Sequence, residues 1–144
     1  MSQPTLDFSA LRNAIVSLEG ALGVVADEAW FRQQSPTVQN TLIAGVIQNF
    51  EFVYELSIRM LRRSLERDSD APGEIDAASF RDVLRMAAEK RLIDDVSAWF
   101  RYRQLRTLSA HTYDRAKAWQ LYEDIRPFLT DARSLLGRLD TGHV

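Results

Sequence analysis

The strongest constraint on the fold is the recurrence of apolar residues at intervals of three and four positions along most of the chain. The longest such run begins after Ser35 and Pro36, because serine is a favourable helix cap and proline suits the first helical position, and it extends to about Arg67. The apolar positions of this run are Leu42, Val46, Phe50, Val53, Leu56, Met60 and Leu61. Since this spacing places apolar side chains on one face of a helix, the run predicts a long helix that buries a wide face.

The same periodicity predicts four further helices. They cover about residues 8–25, 78–90, 95–111 and 114–139. Residues 29–32 are expected to add a short turn of helix. Residues 68–73 are the clearest loop, because they combine Asp, Ser, Pro and Gly.

Polar residues and one proline mark the ends of the later helices. Asp94 or Asp95 could cap the fourth helix, and Asp114 could cap the fifth. Pro127 lies inside the fifth helical pattern, where it should kink the helix or break it near Arg126.

The fold class follows from these elements. Alternating strand patterns, internal repeats and low-complexity segments are absent from the sequence. We therefore predict an all-α protein, in the form of an antiparallel up-and-down four-helix bundle with an additional short helix. With 144 residues, the chain suits one domain, residues 1–144, with a core of about residues 6–140.

Composition excludes several classes of site. The chain has no cysteine, which rules out thiolate zinc sites, cysteine-ligated iron–sulfur clusters, disulfides and cysteine nucleophiles. The N-terminus lacks a basic region followed by an apolar run, and no apolar stretch approaches the roughly 20 residues that span a bilayer. We therefore expect a cytoplasmic protein with no membrane partner, no metal and no cofactor.

Charge is distributed unevenly along the chain. The formal net charge of −2 argues against broad electrostatic binding of duplex nucleic acid. Residues 1–58 carry two basic and six acidic side chains, whereas residues 81–117 carry nine basic and five acidic ones. The basic region is either an ordinary solvated helix surface or a local site for a phosphate-bearing partner.

One short stretch, residues 106–113, combines side chains suited to phosphate chemistry. The chain has two histidines, and His143 lies in the C-terminal tail. His111 is therefore the candidate for proton transfer near neutral pH. Arg106 can hold phosphate through its guanidinium group, and Tyr113 offers a hydroxyl that can be modified.

The spacing limits how Arg106 and His111 can act together. A helix advances about 100° per residue, so side chains five residues apart point roughly 140° away from one another. Either the helix unwinds near Ser109 and Ala110, or a symmetric dimer brings Arg106 of one chain near His111 of the other, which we favour. Such a site could cleave RNA without metal, because histidine can move the proton of the ribose 2′-hydroxyl and arginine can stabilise the phosphorane. The alternative is a packed or surface histidine with no chemical role.

A pair of carboxylates is the second candidate feature. Glu51 and Glu55 lie one helical turn apart, and Arg59 follows one turn later. They could line a polar groove, form a metal-binding pair, or belong to a ladder that ends in a Glu55–Arg59 ion pair. No Glu-x-x-His motif is present to complete a di-metal bundle site. No glycine-rich phosphate loop is present either, so the chain does not look like a nucleotidyltransferase in its own right.

Three stretches of the chain resemble one known family, in which similar stretches occur in the same order. They are residues 48–56 (QNFEFVYEL), 80–84 (FRDVL) and 106–114 (RTLSAHTYD). Over about residues 6–140, the chain resembles the nucleotidyltransferase substrate-binding proteins, helical partners of minimal nucleotidyltransferases in the HEPN superfamily (higher eukaryotes and prokaryotes nucleotide-binding). The resemblance implies an up-and-down bundle, a homodimer that can form a heterotetramer with the minimal nucleotidyltransferase, and a toxin–antitoxin-like module.

The resemblance also implies roles for individual residues. In related HEPN toxins an Arg-x4-His motif forms a metal-independent RNase site at the dimer cleft, so Arg106 would bind phosphate and His111 would serve acid–base catalysis. In related pairs the partner adenylylates the tyrosine of this motif, here Tyr113, and so silences the toxin. The family usually has asparagine or another strongly polar residue after the arginine, whereas this chain has Thr107.

Three functions compete at this point. The first, ranked slightly ahead, is a subunit that binds a nucleotide or RNA substrate for the nucleotidyltransferase. Its substrate-binding residues around Arg106 would be Glu51, Tyr54, Glu55, Arg103 and Thr107. The second is a toxin RNase that uses Arg106 and His111 and is silenced at Tyr113. The third is a structural helical adaptor whose motif is inert.

Overall fold

A computed structural model describes residues 6–110 and 115–141, except for the side chains of residues 115 and 116. Every regular element in these ranges is a helix. The helices are α1 (Ser9–Ala26), α2 (Glu28–Arg32), α3 (Pro36–Arg67), α4 (Pro72–Ala77), α5 (Phe80–Glu89), α6 (Val96–Ser109) and α7 (Arg115–Thr141). The prediction of an all-α protein is confirmed, although the described ranges hold more short helices than the sequence pattern indicated.

Local signals in the sequence account for the ends of several helices. The Ser35 hydroxyl accepts a hydrogen bond from the Val38 amide at 3.2 Å, so α3 begins where its cap and proline predicted. The Asp95 carboxylate caps α6 in the same way, by accepting from the Ala98 amide at 3.2 Å. Asp114, predicted to cap the last helix, lies outside the described residues.

Two predictions about helix boundaries are corrected. The predicted loop at 68–73 ends early, because α4 begins at Pro72, and a proline in the first helical turn needs no amide donor. Pro127 does not break the last helix, since α7 continues through it to Thr141. Ile125 and Phe128 flank the proline and are fully buried, so core packing holds both halves of α7 in place.

Helix α1 packs along α7 in the antiparallel direction. Arg12 contacts Asp140 at 3.2 Å. Glu19, further along α1, contacts Arg133, which lies earlier on α7, at 2.6 Å.

By length and composition alone, α1 could cross a membrane, which the sequence analysis above did not predict. Its buried apolar stripe faces the other helices, as expected of an amphipathic helix of a globular protein: Leu11, Ile15, Leu18, Leu22 and Val25.

An aromatic cluster joins α3, α6 and α7. The ring of Phe128 on α7 lies 5.0 Å from that of Phe50 on α3, between ring centroids, and 4.9 Å from that of Tyr102 on α6. Trp99 packs edge-on against both Tyr102 and Phe128. The Tyr102 hydroxyl donates to the carboxylate of Asp131, and burial together with this hydrogen bond raises the pKa of Tyr102. These contacts fix the position of α6 relative to α3.

The aromatic cluster predicts unequal effects for two phenylalanines on α3. Phe50→Ala removes a fully buried ring and should lower the free energy of unfolding by about 3–5 kcal/mol. Phe52→Ala is the matched control, because this side chain is 54% exposed and its loss should cost within about 0.5 kcal/mol. Urea unfolding of both variants measures the difference, and equal losses would contradict this packing.

Candidate functional site

Helices α3 and α6 bring together three of the residues singled out from the sequence. The Arg106 guanidinium lies 2.5 Å from the carboxylate of Glu51, measured from Nη1 to Oε2. Its Nη2 and Nε groups donate to Oε1 of Glu55 at 2.7 and 3.1 Å. Two carboxylates one turn apart on α3 therefore hold one arginine of α6, and we call these three residues the Arg106 clasp.

The clasp follows from which faces of the two helices are buried. On α3 the buried residues Phe50 and Tyr54 directly precede Glu51 and Glu55, so the carboxylates lie at the edge of the core-facing surface. On α6 the buried Leu105 directly precedes Arg106. Packing of the apolar faces thus brings the polar edges of the helices together.

The clasp is partly open to solvent. The exposed fractions of the side chains are 30% for Arg106, 25% for Glu51 and 47% for Glu55. The hydrogen bond with Glu55 is the main cause that raises the pKa of Arg106, and the negative charge of Glu51 adds to it. The arginine is therefore firmly cationic, while screening limits an exposed ion pair to about 0–1 kcal/mol of stability.

One alternative for the carboxylates is corrected. Glu55 pairs with Arg106 across helices and not with Arg59 on its own helix, so the ladder that would end in a Glu55–Arg59 pair does not form. The polar-groove alternative describes the arrangement better, with a cation already between the two carboxylates. In the part of the chain that the structure describes, no group of three or more His, Asp or Glu side chains could hold a metal ion.

Three further predicted residues surround the clasp. Tyr54 is buried, with its ring 6.2 Å from that of Phe50, and burial raises its pKa, while the charges of Arg103 and Arg106 oppose that shift. The Arg103 guanidinium lies 4.6 Å over the ring centroid of Phe80. The Thr107 hydroxyl donates to the Arg103 carbonyl at 3.2 Å, so its hydrogen is used within the helix.

The second half of the predicted Arg-x4-His-x-Tyr motif is not among the described residues. His111 and Tyr113 lie outside the described residues, so their predicted catalytic and modification roles stay predictions. Helix α6 ends at Ser109, earlier than predicted, and the Ser109 hydroxyl donates to the Arg106 carbonyl at 2.9 Å. Helix α6 thus ends close to Ser109 and Ala110, where unwinding was one of the two arrangements predicted from the spacing of Arg106 and His111.

Among the cavities that described residues form, two of several hundred Å³ lie away from the clasp. One of about 330 Å³ lies between α6 and α7 and includes Leu105 and Leu108 in its lining. The other, of about 600 Å³, lies between α1–α2 and α7 and is lined in part by Trp119 and Tyr122. Neither includes any clasp residue in its lining.

Sequence reasoning missed an aromatic and basic cluster beside the clasp. Phe80 and Arg81 of α5 contact Phe100 and Arg103 of α6. In the sequence, Phe80 fits an apolar helical repeat and so resembles a core residue, and Arg81 and Phe100 carry no functional signal of their own. The available signal was the three-residue spacing of Phe100, Arg103 and Arg106, which places them along one side of a helix.

Comparisons with known proteins agree on one family. The profile of the family described as nucleotidyltransferase substrate binding protein like matches residues 6–141. A Haemophilus influenzae protein named probable ribonuclease HepT is 43% identical over 139 residues, covering 96% of this chain and 95% of the relative.

A solved structure agrees with the fold. The H. influenzae protein HI0074, described as showing the fold of a substrate binding domain of a nucleotidyltransferase, superposes with a TM-score of 0.91. The match has 43% sequence identity and covers 94% of this chain and all of that chain (100%).

The clasp predicts competition between carboxylates and phosphate for Arg106. Glu51→Gln and Glu55→Gln each remove a charge that occupies guanidinium N–H groups, so inorganic phosphate should bind Arg106 several-fold more tightly in these variants. The NMR shift of the Arg106 Nε–Hε group during phosphate titration measures this affinity. Glu19→Gln, which removes a carboxylate paired with Arg133, is the control and should leave it unchanged. Equal phosphate affinity in all four proteins, wild type included, would refute the competition.

Proposed function

Because the chain belongs to the family of nucleotidyltransferase substrate-binding proteins, we propose that it is the substrate-binding subunit of a separately encoded minimal nucleotidyltransferase. The two proteins would form a toxin–antitoxin-like module, and the bound substrate would be a nucleotide or RNA. The family match over residues 6–141 and the relative described as a substrate binding domain of a nucleotidyltransferase support this proposal.

The Arg106 clasp is the observation that carries the proposal. A nucleotide offers phosphate oxygens, which an arginine binds. It also offers ribose hydroxyls and base amines, which donate hydrogen bonds to carboxylates. The clasp presents both kinds of group within hydrogen-bonding distance of one another, at a surface that is partly open to solvent. Arg103 and Thr107 extend this surface along α6, and Tyr54 lies beneath it.

We propose that the working form is a symmetric homodimer, which binds the nucleotidyltransferase as a heterotetramer. In a symmetric dimer, Arg106 of one chain can meet His111 of the other, which supplies a proton-transfer group that the clasp lacks. A cytoplasmic location fits a subunit whose substrate is a nucleotide or RNA.

The second candidate function is a toxin RNase, favoured by the relative named probable ribonuclease HepT. Arg106 would hold the scissile phosphate and His111 would move protons between the 2′-hydroxyl and the leaving oxygen, without metal. The partner would silence the enzyme by adenylylation of Tyr113. Thr107, at the position where the family usually has asparagine, is the feature that places this candidate second.

The binding proposal is tested with the partner nucleotidyltransferase and its acceptor. Addition of this chain should increase the affinity of the partner for acceptor. Arg106→Gln should reduce that increased affinity by at least about ten-fold, since a charged hydrogen bond contributes about 1.5–3 kcal/mol. Arg133→Gln, at an ion pair on α7, is the control and should retain the gain. An acceptor affinity that does not change when this chain is added would contradict the proposal.

The RNase alternative is tested by cleavage of total tRNA in excess chelator. Wild type should cleave, while His111→Ala should lose activity by at least about a hundred-fold, as expected for a general acid or base. Size-exclusion chromatography must show that the variant keeps the oligomeric state of wild type. Absence of cleavage by correctly assembled wild type rejects this alternative and leaves the binding role.

A further inference from the structure

Two arginines flank a pair of aromatic rings between α5 and α6. The guanidinium carbon of Arg81 lies 5.6 Å from the ring centroid of Phe100, and that of Arg103 lies 4.6 Å from the ring centroid of Phe80. The two rings are in edge-to-face contact, with 5.5 Å between centroids. Both contacts are within the range in which an aromatic face attracts a cation. We call these four residues the Arg–Phe stack.

The arginines of the stack differ from Arg106 in their electrostatic partners. Within the described ranges, neither Arg81 nor Arg103 pairs with a carboxylate, and both are exposed. Asp82, the carboxylate next to Arg81 in sequence, contacts Arg85 at 3.5 Å. Arg106, by contrast, is held by Glu51 and Glu55. Among the described residues, the two positive charges of the stack therefore have no carboxylate partner.

Stacking orients these arginines in a way that suits an anion. In each contact the ring attracts the guanidinium and so restricts the long side chain, while the guanidinium N–H groups make no hydrogen bond to the described residues and can bind another partner. Those N–H groups match the oxygens of a phosphate in bidentate geometry. Because the side chain is already ordered, binding an anion costs less conformational entropy than binding at a freely moving arginine.

We propose that the Arg–Phe stack binds successive phosphates of the substrate and leads its chain to the Arg106 clasp. Arg103 lies one helical turn before Arg106, and the charges of both act on Tyr54, so the two sites are adjacent. The inference rests on the proposed function only in that the substrate carries phosphates. It needs neither RNA cleavage nor modification of Tyr113.

The salt dependence of RNA binding tests the inference. The probe is a short fluorescent oligouridylate with 2′-O-methyl groups, which keeps its phosphates but cannot be cleaved through the 2′-oxygen. Arg81→Gln and Arg103→Gln should each reduce the slope of log K against log salt by about 0.7, and the affinity at 0.1 M salt by about five-fold. Arg81→Lys and Arg103→Lys should restore most of the slope but little of the bidentate binding.

Each test variant has a matched control on its own helix. Arg85→Gln removes a charge from α5 that already contacts Asp82, and Arg101→Gln removes an exposed charge from α6 outside the stack. Both should change the slope by less than half as much as the stack variants. If control and stack variants lose equal slope, the effect is only net charge and the inference is overturned, whatever the cleavage assay shows.

A second probe identifies the source of the phosphates. If the stack variants bind the oligouridylate more weakly than wild type but bind uridine triphosphate equally well, the ligand is a nucleic acid strand. If the variants bind both probes more weakly by the same factor, the ligand is the polyphosphate of a free nucleotide. If the variants bind both probes as tightly as wild type, the stack does not bind phosphate. A slope loss in the stack variants without cleavage by wild type would support the stack while rejecting the RNase alternative.

Discussion

The packing of Phe128 against α3 and α6 is the contact on which the geometry of the site depends. Phe128 touches Phe50 on one helix and Tyr102 on the other, and each of these rings lies close in sequence to a clasp residue. Glu51 directly follows Phe50, and Arg106 lies one turn after Tyr102. Because the hydrogen bond from Tyr102 to Asp131 also fixes α6 on α7, the core sets which polar side chains can meet at the surface. The ion pairs of the clasp are a consequence of this register, since exposed pairs are too weak to impose it.

Local sequence signals predicted the parts of the fold that depend on neighbouring residues. Helix α3 has the predicted ends because Ser35, Pro36 and the apolar repeat all act within a few residues. The same local rules failed at residues 72 and 73, where a proline and a glycine indicated a loop and the structure has the start of α4. Burial of Ile75 favours a short helix there, and that burial depends on distant parts of the chain.

The candidate site shows the same difference between what neighbouring residues predict and what depends on distant parts of the chain. Glu51, Glu55 and Arg106 were recognisable as candidates from residue type, spacing and family resemblance. The binding-subunit hypothesis grouped them around one groove, but their direct ion pairs were not recognisable, because Glu55 has an arginine four residues away on its own helix and pairs with one that is 51 residues away. The Arg–Phe stack was missed for a related reason, since Phe80 fits the apolar repeat of α5 equally well as a core residue. Only the packing of α5 against α6 brings it beneath Arg103.

Binding and cleavage make different demands on this surface. Binding needs fixed positive charge, hydrogen-bond acceptors and access to solvent, and α3, α5 and α6 supply all three in the Arg106 clasp and the Arg–Phe stack. Cleavage also needs a group that moves a proton at neutral pH, which Arg106 cannot be, because its pKa is raised further by Glu55. Thr107 cannot take that part either, as its hydroxyl hydrogen is directed to the Arg103 carbonyl. The proposed substrate binding therefore uses residues on the described helices, whereas the proposed nuclease activity depends on the addition of His111 to them.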